Sequence, residues 1–251
     1  MSTTAPGIDA PQLCATGLIA RPGTLPTVTI PLVRDCPPDV DGIWRYLQEP
    51  AEFFGYPMPA PGELAAALAE FSATAFNHVN TTLIVAGITI IETDAAPRTL
   101  VTGDAVQPFR SDAVRIAGDD SVPSPHRSTD PWWLRMAART TSRGALDQRE
   151  RWLNGRGYAD VVSDGVPMLG ALVFETDGCV VGVENPEPTS ILAQLEHCGV
   201  IAAIDRQPAA PADPERVWWV SPRYQTHPVA AIGGTCHPTD SATVPSFARW
   251  S

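Results

Sequence analysis

The 251 residues contain no lysine: all 17 basic side chains are arginine. That absence excludes chemistry that starts from a lysyl amine, above all an imine with an aldehyde, because a guanidinium stays protonated and cannot act as the nucleophile. Basic charge is scarce altogether. A formal net charge of −11 repels phosphate backbones, and no basic stripe interleaved with aromatics offsets it, which argues against a nucleic-acid partner. Cysteine is sparse too. Cys14, Cys36, Cys179, Cys198 and Cys236 are odd in number, scattered and without a CxxC pair, which points to reduced thiols rather than disulfides or structural zinc. His197 beside Cys198, and Cys236 beside His237, are neighbours that splay two ligands apart, so no metal site is expected. No apolar run is long enough to span a bilayer, and the opening MSTTAPGIDAPQ has neither the basic start nor the apolar stretch of a secretion signal. The expectation is a cytoplasmic protein with no membrane partner.

What is present reads as globular. Hydrophobic residues make up 44% and charged residues 18%, and 26 prolines imply many short connections. Residues 1–24, rich in Pro, Thr, Ala and Gly, read as a surface segment. A first α/β lobe is expected over 25–106. It starts with a β-branched strand, TVTIPLVRD, and a turn at Cys36-Pro37-Pro38, followed by a short helix from Ile43 to Phe54 that is interrupted or ended near Pro50. Pro61-Gly62-Glu63 opens a second helix whose Leu64, Leu68, Phe71 and Ala75 share one face. Strands TTLIVAGITII and RTLVTGDAV complete the lobe, and 107–110 reads as a linker. A second lobe over 111–251 opens with the strand DAVRIAG and continues with a helix from Ala145 to Asn154. Strands ALVFET and CVVGVE follow, joined at Asp177-Gly178, then a helix from Thr189 to Cys198 stopped by Gly199, and last the strands RVWWVS and PVAAIGG.

In order and spacing, several segments resemble the class IV fold of pyridoxal-phosphate enzymes, the family of branched-chain aminotransferases and aminodeoxychorismate lyases. TIPLVRDCPPDVDGIWRYL is similar to that family's first strand, turn and helix, GYPMPAPGELAAALAEF to its second helix and APRTLVTGDAV to its closing strand. RTTSRGALDQRERWLNGRGYADVV resembles the segment in which a lysine precedes a helix and a Gly-aromatic-x-Asp/Glu motif, and VWWVSPRYQTHPVAAIGG resembles the terminal strand pair. The resemblance implies an α/β (α+β), two-lobed class IV aminotransferase-like (D-amino acid aminotransferase-like) fold, with a small N-terminal α/β lobe and a C-terminal pseudo-barrel lobe. It also implies a homodimer.

Aligned without a gap, the family's cofactor lysine falls on Arg139. The glutamate that pairs with the cofactor's pyridine nitrogen corresponds to Leu169, which cannot hold a pyridinium proton. The phosphate-binding arginine falls near Tyr46, with Arg45 one residue out of register. The phosphate loop corresponds to Pro188-Thr189-Ser190, where Thr189 and Ser190 offer hydroxyls and helix amides to an anion. These departures lead to the expectation that pyridoxal phosphate is not used and that no cofactor is bound.

Two readings of Arg139 stand side by side. In one it fills the old lysine site, paired with a neighbouring carboxylate and packed on Trp132, Trp133 or Trp152. In the other it grips a ligand's carboxylate as a bidentate fork, with Arg135 and Arg143 four residues to either side. Arg223, Tyr224 and His227 lie between the last strands, where His227 is a candidate acid or base and Tyr224 a candidate catalytic neighbour. Asp160 in GYAD reads as a packing position, Cys179 and Cys198 as buried fillers, and the pairs Trp132-Trp133 and Trp218-Trp219 as core or dimer contacts. The function expected is binding, and cofactor-free transformation, of a small anionic carboxylate metabolite in a cleft between the lobes. The alternatives are a pseudoenzyme that acts through a protein partner, and an active lyase or aminotransferase that holds its cofactor in an unusual way.

Overall fold

The computed structural model describes residues 24–249 apart from 94, 119–130, 143, 177, 186–189 and 240–243. These fall into two compact units, one of 24–106 with 131–144 and one of 107–118 with 145–249.

The first unit is built on three antiparallel strands in the order β1-β2-β3: β1 (Thr27–Val33), β2 (Leu83–Glu92) and β3 (Pro97–Ala105). Two helices, α1 (Val40–Phe54) and α2 (Pro61–His78), supply Ile43, Leu47, Leu64, Leu68 and Phe71 to a core completed by Ile30, Ile84 and Ile88 of the strands. The Asp39 side chain opens α1 by accepting the Gly42 amide at 3.0 Å, and Gly55 closes it with the left-handed φ of 72° that glycine adopts without a steric cost.

Pro50 neither interrupts nor ends this helix, which runs 15 residues through it. The proline ring removes a single backbone donor, the one that would have reached the carbonyl of Tyr46 four residues earlier.

The stretch 131–144 was expected to belong to the second lobe, but it joins the first unit. Helix α3 (Trp132–Ala138) leads into an extended strip that docks beside the start of β1, where Thr27 N–H donates to Arg139 C=O at 3.0 Å and Thr141 N–H to Leu25 C=O at 2.9 Å. These main-chain bonds outweigh proximity in sequence. Trp132 and Trp133 lie on this helix and both are exposed, so of the two roles expected for the pair, core or dimer contact, the core one does not hold.

The second unit holds α4 (Gly144–Asn154), α5 (Ile191–His197) and a nine-stranded mixed sheet. Its strands are β4 (Val114–Ala117), β5 (Asp160–Ser163), β6 (Val166–Pro167), β7 (Ala171–Thr176), β8 (Cys179–Glu184), β9 (Asp205–Arg206), β10 (Arg216–Val220), β11 (Thr226–Ile232) and β12 (Thr235–Cys236). They lie in the order β6-β5-β4-β11-β10-β7-β8-β9, with β12 paired to β11, and the pairs β4/β11, β4/β5 and β8/β9 are parallel. Leu172, Phe174, Val183, Val217, Trp219 and Val229 form its core. Trp218 and Trp219 are both buried on β10. Cys179 is exposed and Cys198 half-buried, so neither is the buried filler expected. The tail returns to this unit: Phe247 is buried, and Glu175 of β7 accepts both the amide and the hydroxyl of Ser246 at 2.7 Å.

No helix among the described residues is long and apolar enough to cross a membrane, and none of their His, Cys, Asp and Glu side chains cluster as metal ligands.

Candidate functional site

Arg139 caps the C-terminal end of α3 with its side chain turned into the first unit and almost fully buried. One Nη donates to the carbonyl of Tyr46, the acceptor that Pro50 leaves without its helical donor, so the arginine mends a defect made by a proline 89 positions away in the chain. The other Nη donates to the carboxylate of Glu49 as an ion pair. The guanidinium also lies over the Tyr46 ring, 3.7 Å from its centroid. Its Nε–H is buried without an acceptor. Tyr46 and Arg139, assigned from the sequence to two separate cofactor contacts, therefore touch each other directly. The packing partner is Tyr46, not Trp132 or Trp133, whereas the Trp152 ring carries Arg156.

The flanking cations point elsewhere. Arg135 stacks on Trp132 at 5.1 Å, and Arg45 is exposed and donates to the carbonyl of Asp41 at 3.2 Å. Arg143 and Thr189 lie outside the described residues.

In the second unit, Asp160 anchors the loop that carries Leu169. This carboxylate is fully buried and accepts the amides of Val161 (2.7 Å), Met168 (3.2 Å), Leu169 (2.9 Å) and Gly170 (2.8 Å) together with the indole N–H of Trp219 (2.9 Å). Burial pushes its carboxyl above the ordinary range, against the opposing pull of those donors. Gly170 has no alternative there, because a Cβ would collide with the Val220 carbonyl and the Trp219 indole. Leu169 itself packs against the cluster of Ala117, Leu153 and Val161. The position expected to face a cofactor nitrogen is thus part of a hydrophobic cluster.

The remaining candidates are held by internal partners. Ser190 accepts the Ala193 amide as the N-cap of α5, and the Leu192 amide donates to Glu184 at 3.1 Å. The chain's own oxygens therefore take the helix donors that were expected to meet an external anion. Tyr224 is buried at a left-handed φ of 56°, and its hydroxyl bonds Gln194 at 3.1 Å. Arg223 is exposed beside it. His227 packs its ring against Trp219 and sets Nδ1 3.3 Å from the Asp112 carbonyl and 3.5 Å from the Asp112 carboxylate.

Burial holds the His227 imidazole below its ordinary pKa, with Arg110 acting in the same direction and Asp112 opposing it. The fold therefore favours the neutral ring, and the unfolded chain takes up the proton first as pH falls. We expect stability to decline as pH drops through about 6.5, the ordinary histidine value, and His227→Gln to flatten that decline. Urea unfolding at several pH values between 5 and 8 reads this directly, and an unchanged slope in the variant counts against it.

No protein-family model matches the sequence, and none of the curated proteins matches it either. Solved structures do. A hypothetical aminotransferase from Mycobacterium tuberculosis in its pyridoxal-phosphate-bound form superposes with a TM-score of 0.66 at 19% identity, covering 96% of this chain and 93% of that one. The chain has the class IV aminotransferase fold. A fold IV transaminase from Curtobacterium pusillum matches at 0.61 and 20% identity over 95% and 87% of the two chains, and a proposed 4-amino-4-deoxychorismate lyase from Legionella pneumophila at 0.57 and 11% over 95% and 91%. The class IV architecture expected from the sequence is therefore present, and at these identities the likeness speaks to the fold alone.

The sequence reading missed Glu49, Glu184 and Gln194, and took Pro50 only as a helix break. Only Pro50 carried a signal. A proline inside a helix exposes the carbonyl four residues earlier, and that carbonyl belongs to Tyr46.

Proposed function

We propose that this chain uses the class IV fold without holding pyridoxal phosphate as an imine, and that, as a homodimer, it binds a small carboxylate metabolite at Arg139. The observation that carries the first part is the chemistry of the donor set. No lysine exists, and the side chain at the expected position is a buried guanidinium committed to Tyr46 and Glu49. Leu169 cannot exchange a proton with a pyridine nitrogen. These residues do not fit the cofactor. What they offer instead is a cation fixed in place by a carbonyl and an aromatic ring, and already paired with a carboxylate. A fixed fork of that kind suits the carboxylate of a keto acid or a ring acid.

Incubation with pyridoxal phosphate, borohydride reduction and intact mass measurement test the first part. The expected result is no phosphopyridoxyl adduct on any side chain and no imine absorbance. An adduct mapped by peptide analysis anywhere other than the N-terminal amine overturns it. Thermal stabilisation by keto, aromatic or cyclohexadienyl carboxylates tests the second part.

A second reading has its own observation. Trp132 and Trp133 are 49% and 57% exposed on a helix beside α1, where Phe53 is exposed as well, and such aromatics favour a protein partner over a small ligand. Recovery of a stable complex that the pair Trp132→Ser and Trp133→Ser abolishes would favour that reading.

A further inference from the structure

The two partners of the Arg139 guanidinium differ in kind. The Tyr46 carbonyl is part of the main chain of a helix, fixed in place, and Pro50 four residues on cannot supply the usual helical N–H to it. Glu49 is a flexible side chain on the same helix, three residues further on, and therefore on the same face. The arginine side chain is 8% exposed, whereas the glutamate side chain is 52% exposed. The buried cation thus meets solvent through a carboxylate that already stands half in water. Releasing that carboxylate exposes little new charge, because the group is largely hydrated where it sits. The guanidinium also keeps hydrogen-bonding capacity in reserve, since its Nε–H has no acceptor.

From this asymmetry we infer that Glu49 is an exchangeable internal carboxylate: it occupies the Arg139 site in the free protein and leaves when the carboxylate of a planar monoacid takes its place. The inference rests on the reading of Arg139 as a carboxylate site. Exchange preserves the charge balance, with one carboxylate on one guanidinium before and after. Arg139 stays anchored to the Tyr46 carbonyl throughout, so the ligand meets a cation already in position and stacked on a ring. A tethered competitor also sets a threshold, because only an acid abundant enough to outcompete the local concentration of Glu49 enters.

The experiment uses the full chain with benzoate as probe and benzamide as its uncharged counterpart, measured by titration calorimetry on wild type, Glu49→Gln and Arg139→Gln. If the free site is occupied by Glu49 in about nine molecules of ten, removing the competitor tightens benzoate binding about tenfold. Arg139→Gln is expected to abolish binding, and benzamide to bind none of the three. Equal benzoate affinity in wild type and Glu49→Gln, lost in Arg139→Gln, overturns the exchange while leaving Arg139 as a carboxylate site. No binding to Glu49→Gln, or binding that survives in Arg139→Gln, overturns the site itself. Should Arg139→Gln fail to fold, the side-chain Nε–H resonance of Arg139 gives the same answer in Glu49→Gln. A shift on adding benzoate supports the site, and an unmoved resonance overturns it.

Discussion

Asp160→Leu will cost the second unit at least about 3 kcal/mol of stability, on the scale of 1–3 kcal/mol for each buried donor left without an acceptor. Four backbone amides and the Trp219 indole converge on this one carboxylate, the loop amides of Leu169 and Gly170 among them. Leucine fills the volume but accepts nothing. Asp160→Asn is the sharper comparison: its oxygen can serve one side of the cluster, while its NH2 group is turned toward donors on the other. We expect it to lose about 2 kcal/mol, less than leucine but far from neutral. Urea denaturation of both variants, followed by tryptophan fluorescence, measures the difference. A loss under about 0.5 kcal/mol for asparagine would mean that the loop amides find other acceptors.

The same cluster shows why part of the fold was legible in the sequence and part of the site was not. The face of α2 was visible because Leu64, Leu68 and Phe71 repeat at helical spacing, and all three are buried. The hairpin of β7 and β8 was marked by Asp177-Gly178, and the end of α5 by Gly199, whose φ is 66°. Asp160 was recognised as a packing residue, but the five donors that surround it come from separate segments that no local pattern joins. Helix α1 failed the local rule in the opposite direction. A proline inside a helix normally argues for a break. Here a long-range side chain replaces the lost donor, and that compensation has no trace in the nearby sequence. The lobe boundary failed for a related reason: 131–144 follows a linker in sequence but is tied to Leu25 and Thr27 by main-chain bonds. Local propensity is a weak guide wherever a distant partner supplies the missing group.

That compensation makes a quantitative prediction. Arg139→Met will destabilise the first unit by about 2–3 kcal/mol, because the Tyr46 carbonyl loses the guanidinium donor and Glu49 its cation. Pro50→Ala returns a backbone N–H to the helix, aimed at the same carbonyl. In that background the carbonyl is satisfied without Arg139, so the methionine substitution should cost less by about 1 kcal/mol or more. The two substitutions lie 89 positions apart in sequence, and their effects should nonetheless couple, which independent sites do not do. A double-mutant cycle by urea denaturation measures that coupling. Additivity within about 0.3 kcal/mol would break the link between the proline and the arginine. It would also leave Glu49 as the main reason that the guanidinium is buried, and the rigid anchor required for ligand exchange at Arg139 would be lost with it.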